Sequence, residues 1–354
     1  MTTLRQPVVR CIDLFCGAGG LTVGLQKAGI EVVLGVDADP ACSFPYEENT
    51  GSRFLHGDVR KLKAKKLKDA LKGADWTILA GCAPCQPFST YTSGRLNEDD
   101  ERWGLLASFA RLVKEVKPDI VTMENVWKLE RHEVFSDFLI SLKSNGYQPA
   151  WKVIDCTRVG VPQRRKRLVL IASRHGKPSL PEEQDGALAP KVIDVIGGLP
   201  KIAAGGTDPK DPIHVASSLS ETNLKRIKAS RPGGTWRDWP EDLRATCHTK
   251  KSGRTYPSVY GRMRWDEPAP TITGQCYGFG NGRFGHPEQH RALSLREAAL
   301  LQTFPPDFVF VAPGKPVHMK VIGQMIGNAV PPRLGEVIGL SIMKELGGGS
   351  SQDN

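Results

Sequence analysis

Short β-branched runs alternate with helical patterns through the first half of this chain, and that alternation leaves few architectures open. Val8–Phe15, Glu31–Asp37, Trp76–Ala80, Ile120–Glu124, Lys152–Asp155 and Arg167–Ala172 read as strands. Leu21–Ala28, Ala41–Asn49, Leu105–Val116 and Glu133–Ser144 carry apolar residues at helical spacing between them. Such alternation predicts an α/β fold with an open, doubly wound, mostly parallel sheet. These sheets gather ligands and reactive groups at the C-terminal ends of their strands, so the residues there are the ones to read for chemistry.

The first strand ends in Asp13-Leu-Phe-Cys-Gly-Ala-Gly-Gly20. Glycines directly after a strand let the backbone turn tightly against a ligand, and the next helix offers free N–H groups. The spacing is not the G-x-G-x-x-G of dinucleotide folds, and Phe15 would turn an aromatic face into the pocket. The second strand ends at Asp37, a carboxylate placed to accept from ribose hydroxyls. His56-Gly-Asp58 supplies a further acid at the end of a third strand, placed to hold an adenine amino group. With no Lys or Arg for phosphates, the pattern suits an adenosyl cofactor lacking pyrophosphate.

The fourth strand runs into Gly81-Cys-Ala-Pro-Cys85-Gln-Pro-Phe-Ser89. Cys82 and Cys85 could form a thioredoxin-like redox pair, be buried structural thiols, or include a nucleophile. A nucleophile needs an acid or base partner, and Glu124 at the end of the fifth strand supplies one. A thioredoxin unit has no use for an adenosyl pocket, so the nucleophile reading prevails. The eight cysteines include no second close pair and no His-x-His cluster, so no metal site is expected. Gln163-Arg-Arg165-Lys-Arg167 enters the next strand; on a strand, Arg165 and Arg167 share one side, where a guanidinium can bind a pyrimidine carbonyl or a phosphate.

After Ser173 the texture changes to Gly, Pro and Ser with short periodic segments. The expected organisation is a catalytic and cofactor domain over 1–177, a smaller irregular domain over 178–262, a segment over 263–346 rejoining the first, and a flexible tail, 347–354. Between Lys201 and Arg262 lie twelve basic and six acidic side chains, much of the net charge of +10, with Trp236, Trp239, Tyr256 and Tyr260 among them. That balance points to a polyanionic partner. No apolar run reaches the roughly 18 residues of a membrane span, and no signal peptide is visible, so a cytoplasmic protein is expected.

Taken in order, DLFCGAGG, HGD, PCQPFS, MENV, QRRKR, the variable region, Glu267-Pro-Ala-Pro-Thr-Ile-Thr-Gly274 and Gly323-Gln-Met-Ile-Gly-Asn328-Ala-Val330 resemble the C5-cytosine DNA methyltransferases of bacterial type. The resemblance spans nearly the whole chain and implies a Rossmann-like domain dependent on S-adenosyl-L-methionine, with 178–262 as target-recognition domain. It implies that Cys85 attacks C6 of a cytosine flipped out of duplex DNA, that Glu124 bonds and protonates N3, that Arg165 holds the base oxygen, and that Arg167 supports it. In the cofactor pocket it implies Phe15 against the sulfonium and adenosine, and Gly17, Ala18, Gly19, Gly20 and Leu21 near the methionine portion. Asp37 falls to the ribose, Asp58 to the adenine amino group and Val59 to the ring; Pro84 and Leu105 line the pocket, and Asn328, Ala329 and Val330 close it. Cys82 reads as packing and Asp39 as a helix cap. The loop 86–103, with Thr90, Ser93, Gly94 and Arg95, would close over DNA, and a restriction endonuclease of the same specificity is an implied companion. Competing readings are a cytosine-5 tRNA methyltransferase of the same fold and an idle DNA- and cofactor-binding protein. Intact Cys85, Glu124 and Arg165 oppose the latter, and no hydride-transfer set supports a dehydrogenase.

Overall fold

In the computed structural model, residues 5, 7–84, 104–184, 189–250 and 257–348 are described. The expectations resting on Cys85, Thr90, Ser93, Gly94, Arg95 and Tyr256, and on the tail beyond Gly348, lie outside these residues. The chain divides into two compact units: Met1–Asp155, Lys166–Asp185 and Val330–Asn354 form the first, Cys156–Arg165 and Gly186–Ala329 the second. The return to the first unit comes at Val330, whereas sequence texture puts it at 263. Residues 263–329 pack within the second unit because helical segments there serve its own core.

The first unit holds a seven-stranded sheet: β1 (Val9–Leu14), β2 (Glu31–Asp37), β3 (Arg53–His56), β4 (Trp76–Gly81), β5 (Ile120–Val126), β6 (Gln148–Asp155) and β7 (Lys166–Ser173). Their order is β3-β2-β1-β4-β5-β7-β6. All run parallel except β7, which is antiparallel to both neighbours. Strands covered on both faces read as near-continuous apolar runs, as LVLIA of β7 does. Ile12, Leu14, Leu34, Leu79, Val121, Met123, Leu168 and Leu170 form its core, with Phe109 and Phe138 from the helices α4 (Gly104–Val116) and α5 (Glu133–Ser144). The order reverses between β1 and β4, the crevice where open sheets bind ligands.

Helix α1 (Gly20–Lys27) packs against α11 (Pro332–Gly348), the last element. The approach is so close that a Cβ on Gly24 would sit 2.3 Å from the Pro332 carbonyl oxygen, and one on Gly339 would sit 2.6 Å from Ala28 Cβ. Helix α2 (Ser43–Thr50) follows β2, and α3 (Ala64–Leu71) buries Leu67 and Leu71 while its lysines face solvent.

In the second unit are α6 (Val192–Ile196), a hairpin of β8 (Thr207–Asp208) and β9 (Asp211–Val215), α7 (Glu221–Ala229), α8 (Thr246–Thr249), α9 (Leu295–Leu301) and α10 (Met319–Asn328). Trp236 and Trp239, among the aromatics interleaved with the basic residues, are core: both are buried with Ile227 and Phe279. Arg226 lies over Trp239 and Tyr260 at 5.6 and 5.4 Å from the ring centroids. Periodicity in a Gly- and Pro-rich stretch cannot separate an aromatic that reads a partner from one that builds a small core. Arg291 binds both oxygens of buried Glu297 at 2.7 and 2.6 Å, and Ser294 caps α9. No described helix is long and apolar enough to cross a membrane.

Candidate active site

At the end of β1, Phe15 adopts a left-handed backbone with φ +59°, a conformation costly for a bulky residue and found where a fold over-determines it. Gly17 and Gly19 follow at φ +52° and +97°, so the chain coils tightly before α1 begins. A Cβ on Gly19 would also sit 3.0 Å from Thr50 Cγ2. Asp37 stitches this loop to β2: its carboxylate accepts from Gly17 N–H at 2.8 Å and from Asp39 N–H at 2.9 Å. Burial raises the Asp37 carboxyl above its ordinary range. Two bonds leave acceptor capacity for a ligand's hydroxyls. Asp39 accepts from Ala41 N–H at 2.9 Å, the capping role expected of it.

Phe15, Asp37, Asp58, Val59, Pro84 and Leu105 line one cavity of about 230 Å³, together with Ala38, Gly57 and Arg60. Gly17, Ala18 and Gly19 form the turn beside it, Gly20 and Leu21 begin α1, and none of these lines it; nor do Asn328, Ala329 and Val330. Asn328 ends α10 and Ala329 follows it in the second unit, while Val330 opens the last segment of the first. Arg60 escaped the sequence reading. Its guanidinium grips both Asp58 oxygens, with Nη2 at 2.8 Å, and holds that carboxyl below its ordinary range. Asp58 caps the turn Val59–Lys61 by accepting from Arg60 N–H at 2.9 Å, and a basic residue two positions past such an Asp is the available signal.

Asp13, beneath the glycine loop, is buried and accepts from the Thr22 hydroxyl at 2.8 Å, while its other oxygen has no hydrogen-bond partner. Burial pushes its pKa to about 7, with Asp37 adding to the rise and Thr22 opposing it. A carboxyl that holds its proton more tightly when folded stabilises the fold fully below its unfolded pKa of about 3.9, and that contribution is lost as pH rises through 7. Asp13→Asn is therefore expected to gain thermal stability relative to the parent between pH 5 and pH 8, by a few °C in Tm. Melting curves at the two pH values check this, and a pH-independent difference would contradict it.

The second cluster sits at the ends of β4, β5 and β7. Glu124 is 3% exposed. In the antiparallel β5–β7 register Val126 faces Arg167, so Arg167 is the diagonal neighbour of Glu124 on one face, and its Nε lies 2.8 Å from Oε1. In the parallel β4–β5 register Gly81 faces Met123, which brings the next residues, Cys82 and Glu124, side by side. The Cys82 thiol donates to Glu124 Oε2 at 2.9 Å. Cys82 is thus a polar partner of the site, where the sequence reading had it as packing. Asn125 donates to the Ala83 carbonyl at 3.1 Å, tying the segment that leads to Cys85 onto β5.

Arg165 is placed differently from Arg167. It is buried in the second unit, where Nη1 donates to the Ile272 carbonyl at 3.0 Å and Nη2 to those of Gly327 and Ala329 at 3.4 and 3.3 Å. Gln163 braces the same strip, donating to the Leu301 carbonyl at 3.0 Å while its own oxygen accepts from Ile272 N–H at 3.0 Å. The arginine facing Glu124 is Arg167. Alternation along a strand puts both on one side, but Arg165 precedes β7 and belongs to a different unit.

The strand order, its antiparallel seventh strand and a cavity at the ends of β1 and β2 define a Rossmann-like methyltransferase domain. A family model of the C-5 cytosine-specific DNA methylases matches residues 9–344. The chain belongs to that family. It is 49% identical to a type II methylase, M.HgiDII of Herpetosiphon aurantiacus, over 95% of this chain and 96% of that one. It is 33% identical to the type II methyltransferase M1.HphI of Haemophilus parahaemolyticus, over 94% and 86%. Among solved structures it resembles an Escherichia coli protein described as a prophage-encoded DNA modification methyltransferase, at a TM-score of 0.74 and 22% identity, covering 96% of this chain and 99% of that one. A DNMT2 variant of Spodoptera frugiperda gives 0.65 and 17%, covering 94% and 99%.

Proposed function

We propose that this enzyme transfers the methyl group of S-adenosyl-L-methionine to C5 of a cytosine flipped out of duplex DNA, through a covalent bond between Cys85 and C6. The observation that carries this reading is the ion pair of buried Glu124 with Arg167 at the strand ends, on the sheet edge from which the chain continues to Cys85.

The pocket's residues fit the cofactor. Phe15 offers a ring face, Asp37 keeps acceptor capacity for the ribose hydroxyls, and Val59, Pro84 and Leu105 supply apolar walls for a purine. Asp58 takes the adenine amino group by exchanging it for Arg60, whose side chain is 43% exposed. Gly17, Ala18, Gly19, Gly20 and Leu21 are assigned to the methionine portion, and Val330, which opens the last segment of the first unit, to closing the site. When bound, S-adenosyl-L-methionine supplies an electrophilic methyl on a sulfonium.

An aromatic pyrimidine C5 is too weak a nucleophile unaided. Cys85 adds as a thiolate to C6, and the electron pair of the C5–C6 bond becomes available at C5. Glu124 delivers a proton at N3, so that negative charge does not build on the ring. Arg167, held against Glu124, is the guanidinium we assign to the base oxygen, and Arg165 braces the Ile272 strip. After methylation a base removes the C5 proton, the C5–C6 double bond returns, the C6–S bond breaks to release the Cys85 thiolate, and N3 gives its proton back to Glu124. A base inside a duplex hides C5 and C6, so it is extruded at a cost of a few kcal/mol. The basic residues of 178–262 hold the DNA backbone, and a few side chains there read bases. A type II restriction endonuclease with the same site is the companion we propose, and the cytoplasm the compartment.

The test mixes the enzyme with radiolabelled S-adenosyl-L-methionine and duplex DNA bearing 5-fluorocytosine. Fluorine at C5 blocks the final elimination, so a denaturation-resistant labelled adduct is expected, attached at Cys85. An adduct on fluorinated tRNA alone would move the substrate to RNA, and none on either would contradict the covalent route.

A further inference from the structure

The contact between Cys82 and Glu124 is the feature of the site that the proposed chemistry leaves unused. Three elements converge on the buried carboxylate. Arg167 from β7 faces Oε1 at 2.8 Å, and Cys82 from the end of β4 faces Oε2 at 2.9 Å. Asn125, next to Glu124 on β5, bonds the Ala83 carbonyl at 3.1 Å and fixes the segment that carries Cys82. Upstream, Cys82 N–H donates to the Leu14 carbonyl at 3.3 Å, and a Cβ on Gly81 would sit 3.2 Å from that oxygen and from Phe109, so the backbone before Cys82 has little room to shift. The thiol is held at its place from both sides.

We infer that Cys82 is a positioning residue for Glu124: its S–H donates to Oε2 and sets the carboxyl plane, leaving Arg167 to hold the other oxygen. The inference rests on the proposed role of Glu124 at N3. A thiol is a weak donor. A strong donor in its place would favour the ionised carboxylate and oppose delivery of a proton to the base, whereas an apolar residue would leave one oxygen of a buried carboxyl without a partner. Sulfur provides orientation at small cost to proton transfer. Arg167 and Cys82 are the charged and titratable groups that face Glu124 here among the described residues, so the effect of losing one is read against the other.

The experiment compares the parent enzyme with Cys82→Ala and Cys82→Ser in steady-state methylation of duplex DNA across pH, with S-adenosyl-L-methionine affinity measured separately by calorimetry. In Cys82→Ala, kcat is expected to fall about fivefold, the range of one lost hydrogen bond. Its alkaline limb should move to higher pH, because removing a donor favours the protonated carboxyl, while cofactor affinity is retained. Cys82→Ser, a stronger donor, should keep the carboxyl oriented but move the limb below that of the parent, with kcat between those of the parent and Cys82→Ala. Equal losses in both variants with an unmoved limb would show packing alone and overturn the inference, as would a Cys82→Ala enzyme indistinguishable from the parent. Failure of the parent itself to trap 5-fluorocytosine would bring down the underlying role of Glu124 first, and is told apart by that control.

Discussion

Replacing Cys85 by serine is expected to lower methyl transfer by about 10³-fold or more and to abolish the 5-fluorocytosine adduct. The attacking species is an anion. A thiol with an ordinary pKa of about 8.5 supplies a few per cent thiolate at neutral pH and is intrinsically nucleophilic, whereas a serine hydroxyl supplies almost no alkoxide. The substitution removes little volume and adds no charge, and the residues lining the cofactor cavity are untouched, so S-adenosyl-L-methionine should bind as it does to the parent. Binding by calorimetry beside turnover by tritium transfer separates the two. Equal, complete loss in Cys82→Ser would shift the reading toward a functional cysteine pair. Turnover of Cys85→Ser within tenfold of the parent would remove Cys85 as the nucleophile.

Glu124→Gln should be nearly as severe, with kcat down by about 10²–10⁴, the range associated with a positioned general acid. Glutamine preserves the shape and can still accept from Cys82, but it has no proton to give N3. It also leaves Arg167, whose side chain is 13% exposed, without its counter-charge. The arginine then favours nearby anions, so DNA affinity should be kept or increased while chemistry fails. Cofactor affinity is the control: a loss there would mean that Glu124 supports the pocket at β1 and β2 rather than the base. Retention of more than a tenth of parental kcat would contradict proton transfer through this residue.

Much of the sheet could be read from sequence because its strands are buried on both faces and punctuated by polar residues at their ends, as in LVLIA of β7 and Asp37 of β2. Phe15, Asp37 and Asp58 of the pocket were legible for the same reason, from strand-end position, whereas Val59, Pro84 and Leu105 followed only from the family resemblance. What escaped depends on registers between strands. That Arg167 rather than Arg165 faces Glu124 follows from where β7 begins, which periodicity locates only to within a residue or two. Arg60 and Cys82 act through contacts one side chain deep, and no spacing rule encodes them. The second unit was least legible because a small core of Trp236, Trp239 and Phe279 looks, in sequence, like aromatics set among charges.

The close seam between α1 and α11 has a consequence for biosynthesis. Helix α1 follows the glycine turn at the end of β1, and its Gly24 face is shaped to receive a backbone about three hundred residues further along. During translation at roughly 5–20 residues per second, that face stands uncovered for many seconds after the sheet's first strands have left the ribosome. The nascent chain therefore carries an uncovered helix face beside its glycine turn until residues Pro332–Gly348 have been made.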